Sequence, residues 1–198
     1  MTRSWVLPDE PVPVRLMNTI WADRAGLHDS LCAASDLAAW LVAVGATDSL
    51  VRINSDDVAR ARRLRDALRR VAALRTEDTR EAAASATDDI DVAIAEINAA
   101  AAASPPAARL ALRKRKLHRE AALVGPVVTT ALSAVAADAI ELFTGADSSP
   151  LRACQAPGCV LYFTKDHPRR EWCSIACGNR ARAARHYRRH RPGLPGNP

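Results

Sequence analysis

The sequence predicts a mainly α protein: a helical N-terminal domain with minor β structure, followed by a small cysteine-rich finger that ends in a basic helix. Three observations carry this. Apolar residues recur at helical spacing in several stretches between residues 14 and 145. Four of the five cysteines fall within 24 residues near the C-terminus. The charge divides in the same place: the chain carries +6 overall, with +8 from residue 152 onward and −2 before it. A near-neutral body is joined to a strongly basic end.

Residues 1–13 read as an extended lead-in, because Pro8, Pro11 and Pro13 interrupt regular helix. A first helix is expected within residues 14–22. A second has Ser35 as cap, Asp36 in its first turn, a stripe of Leu37, Trp40, Leu41 and Val44, and Gly45 as its stop. The third is the strongest: Ser55 as cap, Asp56 and Asp57 at the positive end of the dipole, and Val58, Ala61, Leu64, Leu68, Val71 and Leu74 along one face. Its other face carries Arg60, Arg62, Arg63, Arg65, Arg69 and Arg70, which read as solvated. A fourth helix is expected from Thr87 through Ile90, Ile94, Ile97 and Ala101, with Pro105 and Pro106 stopping it. Residues 76–86 extend it or form a short helix of their own. Residues 108–124 are ambiguous, alternating as a strand would while permitting helix. A fifth helix starts near Pro126 and runs through Leu132, Val135, Ala139, Leu142 and Phe143 to Gly145. The expected organisation is a body over 1–147, a linker over 146–150, a finger over 151–191 and a flexible tail over 192–198.

The bulk properties narrow the function. No uncharged apolar run approaches the roughly 18 residues of a membrane span, and the N-terminus lacks the apolar stretch of a secretory signal. A cytoplasmic protein with reduced thiols and no membrane partner is expected. The body holds no G-x-S-x-G, phosphate-binding glycine loop or HExxH, so no enzymatic activity is expected.

Cys154, Cys159, Cys173 and Cys177 are spaced C-x4-C, thirteen residues, C-x3-C. Two close thiol pairs joined by a short loop suit a tetrahedral zinc site, each pair supplying two ligands from one local turn. Pro157-Gly158 makes the turn of a knuckle, residues 161–163 read as a short strand, and Cys173 and Cys177 share one face of a helix start. Four thiolates close the coordination shell, so one zinc per chain is structural rather than catalytic. So short a segment with few large apolar residues needs that metal, worth on the order of 10 kcal/mol, to fold. His167 could replace one ligand; Cys32 reads as a separate buried thiol.

Trp172-Cys173-Ser174 followed by Cys177-Gly178-Asn179-Arg180 resembles the CGNR-type zinc finger of bacterial proteins. Those proteins pair it with an N-terminal ABATE domain and are described as stress-induced transcription regulators. Arg15-Leu16-Met17-Asn18-Thr19 and residues 36–41 resemble that domain, so the likeness covers nearly the whole chain. It implies a helical body with a little β structure near 108–120 and a zinc-dependent DNA-binding finger. Two departures stand out: the second cysteine pair has three intervening residues where the family usually has four, and Lys165 stands where an Asp often follows the strand.

Between Gly178 and Arg191 there are six Arg, two His and one Tyr, with no acid. On a helical projection Asn179, Ala183, His186, Tyr187 and His190 share one side as a packing face, and cations fill the remaining arc. The DNA-contacting set is Asn179, Arg180, Arg182, Arg185, Arg188 and Arg189, since guanidinium groups bind phosphates and read guanine edges. Gly178 permits close approach of a backbone or a phosphate. Six phosphate contacts would give a log–log salt slope of roughly −5. A protein-interaction or RNA-binding adaptor is the alternative. The body is expected to sense a small-molecule effector or to form a homodimer, with Asn18, Thr19, Asp23, Arg24, His28 and Asp29 as the candidate pocket.

Overall fold

Pro11 and Pro13 begin a helix instead of delaying it. In the computed structural model, which describes residues 7–47, 51–105, 107–122, 125–145 and 151–190, α1 spans Val12–Met17 with Pro11 at its cap. Proline suits a first turn, where the missing N–H has no intrahelical partner. The expected helix over 14–22 ends early, because residues 20–29 form a β-hairpin. Strand β1 (Ile20–Asp23) pairs antiparallel with β2 (Gly26–Asp29) in register Ile20↔Asp29 and Asp23↔Gly26. The Asp23 carboxylate fixes the turn by accepting the Ala25 N–H and meeting the His28 ring, each at 2.8 Å. Four-residue strands are too short to display the alternation that would have revealed them.

Helix α2 covers Ala34–Ala43. Its N-cap is Ala33, not Ser35, and the Asp36 carboxylate reaches back to accept the Cys32 and Ala33 backbone N–H groups just before the helix. Helix α3, Ser55–Arg75, is capped by Asn54, one residue before the expected Ser55. Asn54 accepts the Asp57 N–H at 2.9 Å while the Asp57 carboxylate accepts the Asn54 N–H at 3.0 Å. Such a reciprocal cap is worth about 1 kcal/mol. A 3-10 turn at Glu81–Ala83 occupies part of the stretch expected to be helical, and α4 runs Ile90–Ala103 with Asp89 as its cap.

The ambiguous segment is a hairpin: β3 (Ala107–Arg113) pairs with β4 (Lys116–Ala122). Helix α5 is Val127–Thr144. At 18 residues and a mean hydropathy of 1.5 it is long and apolar enough to cross a membrane, although Asp138 and Glu141 interrupt it, so its uncharged run is shorter, as expected. Its apolar face has another use here. Val128, Leu132, Val135, Ala136 and Ala139 are buried in the protein core with Val14, Leu16, Met17, Trp40, Leu41, Leu64, Leu68 and Ile97. Helices α1, α3, α4 and α5 surround this core, with α2 against α3.

Two arginines of α3 depart from the solvated face expected of them: Arg65 and Arg69 are 4% and 1% exposed. They stand four and eight residues after buried Ala61 and so lie on the stripe itself. Arg65 pairs with Asp29 at 2.7 Å and with Asp66 at 2.9 Å.

The C-terminal segment has a two-stranded sheet, β5 (Leu151–Ala153) with β6 (Tyr162–Thr164), and helix α6 (Ile175–His190). Period-two alternation makes β6 a wall between two cores. Tyr162 lies in the body core, while Leu161 and Phe163 lie in a second core built from the four cysteines and Ala156, with Trp21 and Trp172 packed on it. The expected linker at 146–150 and tail at 192–198 lie outside the described residues.

Candidate metal centre

The knuckle Cys154–Cys159 turns at Gly158, whose φ of +71° is open to glycine at little cost. The Cys154 N–H donates to Leu161 O and the Cys159 N–H to Ala156 O, each at 2.9 Å, which folds both thiols inward. The other pair straddles the start of α6: the Ser174 hydroxyl accepts the Cys177 N–H at 3.2 Å, fixing the first turn. All four cysteines are buried, and their sulfurs lie within 4.8 Å of one another. Cys159 and Cys173 sulfurs are 3.8 Å apart, and Cys173 and Cys177 sulfurs 3.4 Å. A tetrahedron with metal–sulfur bonds of about 2.3 Å has edges of about 3.8 Å. The donor set therefore fits a closed four-thiolate zinc site. His167 lies outside it: its Nδ1 accepts the Arg169 N–H at 3.1 Å on the surface.

The thiols bear on one another's protons. Hydrogen bonds from Cys154, Cys159 and Cys173 hold the Cys177 thiol far below its ordinary value. The same contacts push Cys173 up, and Cys154 pushes Cys159 up. So many thiolates at contact distance are stable together only around a dication. The Arg180 Nη2 donates to Cys177 Sγ at 2.9 Å, adding positive charge at the edge of the cluster.

The body grips this centre through buried polar groups. Strand β6 pairs with β5 along one edge, and on the opposite edge Asn18 takes both backbone groups of Tyr162: its Nδ2 donates to Tyr162 O at 2.9 Å and its Oδ1 accepts the Tyr162 N–H at 3.0 Å. Glu10 continues along the same edge, accepting the Thr164 N–H at 2.7 Å and pairing with Arg170 at 2.6 Å. Arg69 donates to Met17 O in α1, to Ala83 O in the 3-10 turn and to Val160 O in the finger, and lies 5.3 Å from the Tyr162 ring centroid. Arg80 Nη1 donates to both knuckle carbonyls, Cys154 O and Cys159 O, at 2.5 Å. Asp78 holds that guanidinium with two contacts of 2.6 Å and also accepts the Tyr162 hydroxyl proton at 3.0 Å. Burial raises the Asp78 carboxyl, and the hydrogen bond and charge of Arg80 outweigh that, leaving it below the ordinary value.

Sequence reading named the four cysteines and Asn18 but not Glu10, Arg69, Asp78, Arg80 or Arg170. Arg69 had a signal in its place on the apolar stripe of α3. The others had none, since an acid or an arginine in a polar loop carries no local mark. Several of the candidate pocket residues make local contacts. Thr19 donates to Leu16 O at 2.8 Å, Asp23 pairs with His28, and Asp29 takes Arg65. Arg24 is exposed. A cavity of about 280 Å³ lies elsewhere, between α3, α4 and α5, lined by Arg60, Arg63, Glu96, Ala100 and Leu132 among others. Cys32, expected to be buried, is exposed and donates to Asp29 O at 3.2 Å.

On α6 the packed face is Cys177, Gly178 and Ala181, not the side bearing Ala183 and Tyr187, and Tyr187 is 76% exposed. Gly178 is approached by an indole: a Cβ there would lie 3.1 Å from Trp172 Cδ1. Asn179 accepts a hydrogen bond from Arg182 at 2.5 Å. Arg185, Arg188 and Arg189 stand exposed with His186 and His190, whose rings stack at 4.0 Å.

A family model named ABATE, described as "putative stress-induced transcription regulator", matches residues 10–146. A CGNR zinc-finger model matches residues 151–190. Comparison with curated proteins finds no match.

Proposed function

The chain belongs to the ABATE family and carries a CGNR zinc finger with a four-cysteine cluster for one structural zinc, and from that premise we propose a cytoplasmic, DNA-binding transcriptional regulator. Cys154, Cys159, Cys173 and Cys177 hold the zinc, which supplies the fold energy of the finger rather than chemistry. The observation that carries the reading is the outer half of α6. Beyond Ala181 the helix buries nothing, carries Arg182, Arg185, Arg188 and Arg189, and contains no acid. Such a surface fits a phosphate backbone. Asn179 and Arg180, nearer the cluster, orient the start of the helix as well as lying on the DNA side. The body, gripping the finger through Arg69 and Arg80, aims the helix. It senses an effector or forms a homodimer, which doubles the small contact area of one finger. The cavity between α3, α4 and α5 offers room for the effector.

The test is binding of a labelled DNA duplex to the zinc-loaded chain and to a variant with Arg182, Arg185, Arg188 and Arg189 all changed to Ser. Loss of affinity and a log–log salt slope flatter by about 3–4 support the reading. An unchanged slope overturns it, and tighter binding of single-stranded RNA than of duplex DNA favours the adaptor alternative.

A further inference from the structure

The −2 charge of the body conceals a second basic element. The β3–β4 hairpin, residues 107–122, holds six cations and one acid. That acid, Glu120, is taken by Arg109 at 3.0 Å and Arg113 at 2.6 Å. Lys114, Arg115, Lys116 and Arg119 have no acidic partner among the described residues. Three of these four stand consecutively at the tip.

The turn does not explain its own residues. Lys114 and Arg115 are the two central residues of the connection, at φ +48° and +65°. Two-residue hairpin turns with both φ positive favour Asn-Gly, which adopts them at far lower cost. A lysine and an arginine held there mark a site where local preference has given way to another demand.

Packing does not explain the hairpin either. Leu110, Leu112 and Leu117 are 71%, 69% and 69% exposed. The register places them with Arg119 on one face, while Arg109, Arg113, Lys116, His118 and Glu120 occupy the other. Both faces stand in solvent, and an isolated two-stranded hairpin is marginal in water.

We propose that the β3–β4 hairpin is a second DNA-contacting arm, entering a groove of the duplex that α6 engages. Lys114, Arg115, Lys116 and Arg119 meet phosphates at the groove walls, and the leucine face lies toward the floor. A seven-residue ribbon, about 23 Å long, matches the scale of a groove that admits two strands. Apolar side chains on that floor can contact thymine methyl groups. The arm rests on the reading of DNA as the partner of α6.

The experiment uses the full, zinc-loaded chain and a mixed-sequence duplex of about three helical turns, with affinity measured across a salt series. One variant changes Lys114, Arg115, Lys116 and Arg119 to Ser; a second changes Arg185, Arg188 and Arg189 to Ser. Zinc content and circular dichroism confirm that both remain folded. The expected result is a loss of at least about tenfold in affinity near 0.1 M salt for the hairpin variant, with a slope flatter by about 3–4. If the helix variant loses binding while the hairpin variant keeps both affinity and slope, the arm is overturned and the helix reading stands. If only the hairpin variant loses binding, the helix reading is overturned, and with it the hairpin's place as a second arm beside α6. No binding by the unmodified chain at low salt overturns both. A third variant, Leu110, Leu112 and Leu117 to Ser, that dissociates a dimer without changing DNA affinity also overturns the arm, identifying the hairpin as a contact between copies of the chain.

Discussion

Asn18 and Tyr162 exchange two hydrogen bonds across 144 residues of chain, the amide of Asn18 taking the place that a neighbouring strand would occupy beside β6. Both groups on Tyr162 are backbone, and both residues are buried, so these groups depend on a protein partner. The body thus completes the sheet of the finger at this edge.

Asn18→Ala leaves a buried N–H and C=O unpaired, each costing about 1–3 kcal/mol. The expected outcome is a loss of roughly 2–4 kcal/mol in denaturant unfolding of the zinc-loaded chain. Asn18→Asp keeps an acceptor for the Tyr162 N–H but sets a carboxylate against Tyr162 O, so it should be no better than Ala. A variant as stable as the parent would show that the Tyr162 N–H and C=O find other partners and that Asn18 does not hold this edge.

Chelation gives a sharper test of the same coupling. The finger core consists largely of the four sulfurs, with Leu161, Phe163 and Ala156 around them, so removing zinc removes its packing as well as its cross-link. Because Tyr162 and Leu151 belong to the body core, the loss should spread. Thermal unfolding after chelation is expected to show a lower midpoint for the body helices themselves, read by far-ultraviolet dichroism. A body transition that stays in place while the finger melts would mean that two independent domains are merely touching.

Much of this arrangement was legible in the residues alone, and the division has a physical cause. Helices α3, α4 and α5 announce themselves because an amphipathic stripe repeats over three turns or more. The cysteines do so because metal ligation requires a fixed residue type at fixed spacing. The β1–β2 hairpin was hidden, its strands being too short for a period to show. The clamps on the finger were hidden for a different reason: Glu10, Asp78 and Arg80 acquire meaning only from residues about 70 to 160 positions away, and long-range pairing leaves no local pattern. Arg69 is the intermediate case, placed on the apolar stripe by its spacing but identified only by the three carbonyls that surround it.

Arg80 should govern how firmly the metal is kept. Its guanidinium holds two carbonyls of the knuckle in one orientation, and Arg80→Ala frees both while leaving every sulfur in place. Zinc transfer to a chromogenic chelator is expected to accelerate by about 10-fold or more, the range seen when groups supporting metal ligands are lost. Arg80→Lys, which offers one compact donor group in place of a planar fork, should recover only part of the effect. Equal rates in all three proteins would remove Arg80 from any part in holding the site.

Acid should release zinc by protonating thiolates before it breaks the clamp. The Asp78 carboxyl lies below its ordinary value of 3.8, with burial raising it and the Arg80 hydrogen bond and charge prevailing. A depressed carboxyl contributes stability that is complete above the unfolded value and disappears as pH falls through the folded one, so this contribution persists down to about pH 4. Zinc binding works in the same direction but higher on the scale, because protons compete for sulfurs whose ordinary value is about 9. Zinc release followed against pH should therefore begin well above pH 4, and Asp78→Asn, which weakens the hold of Arg80 on the knuckle, should move the midpoint of that release to higher pH. An unchanged midpoint in Asp78→Asn would remove the clamp from any part in retaining the metal, and release that begins only near pH 4 would show that the carboxyl, rather than the thiolates, sets the acid limit of the finger.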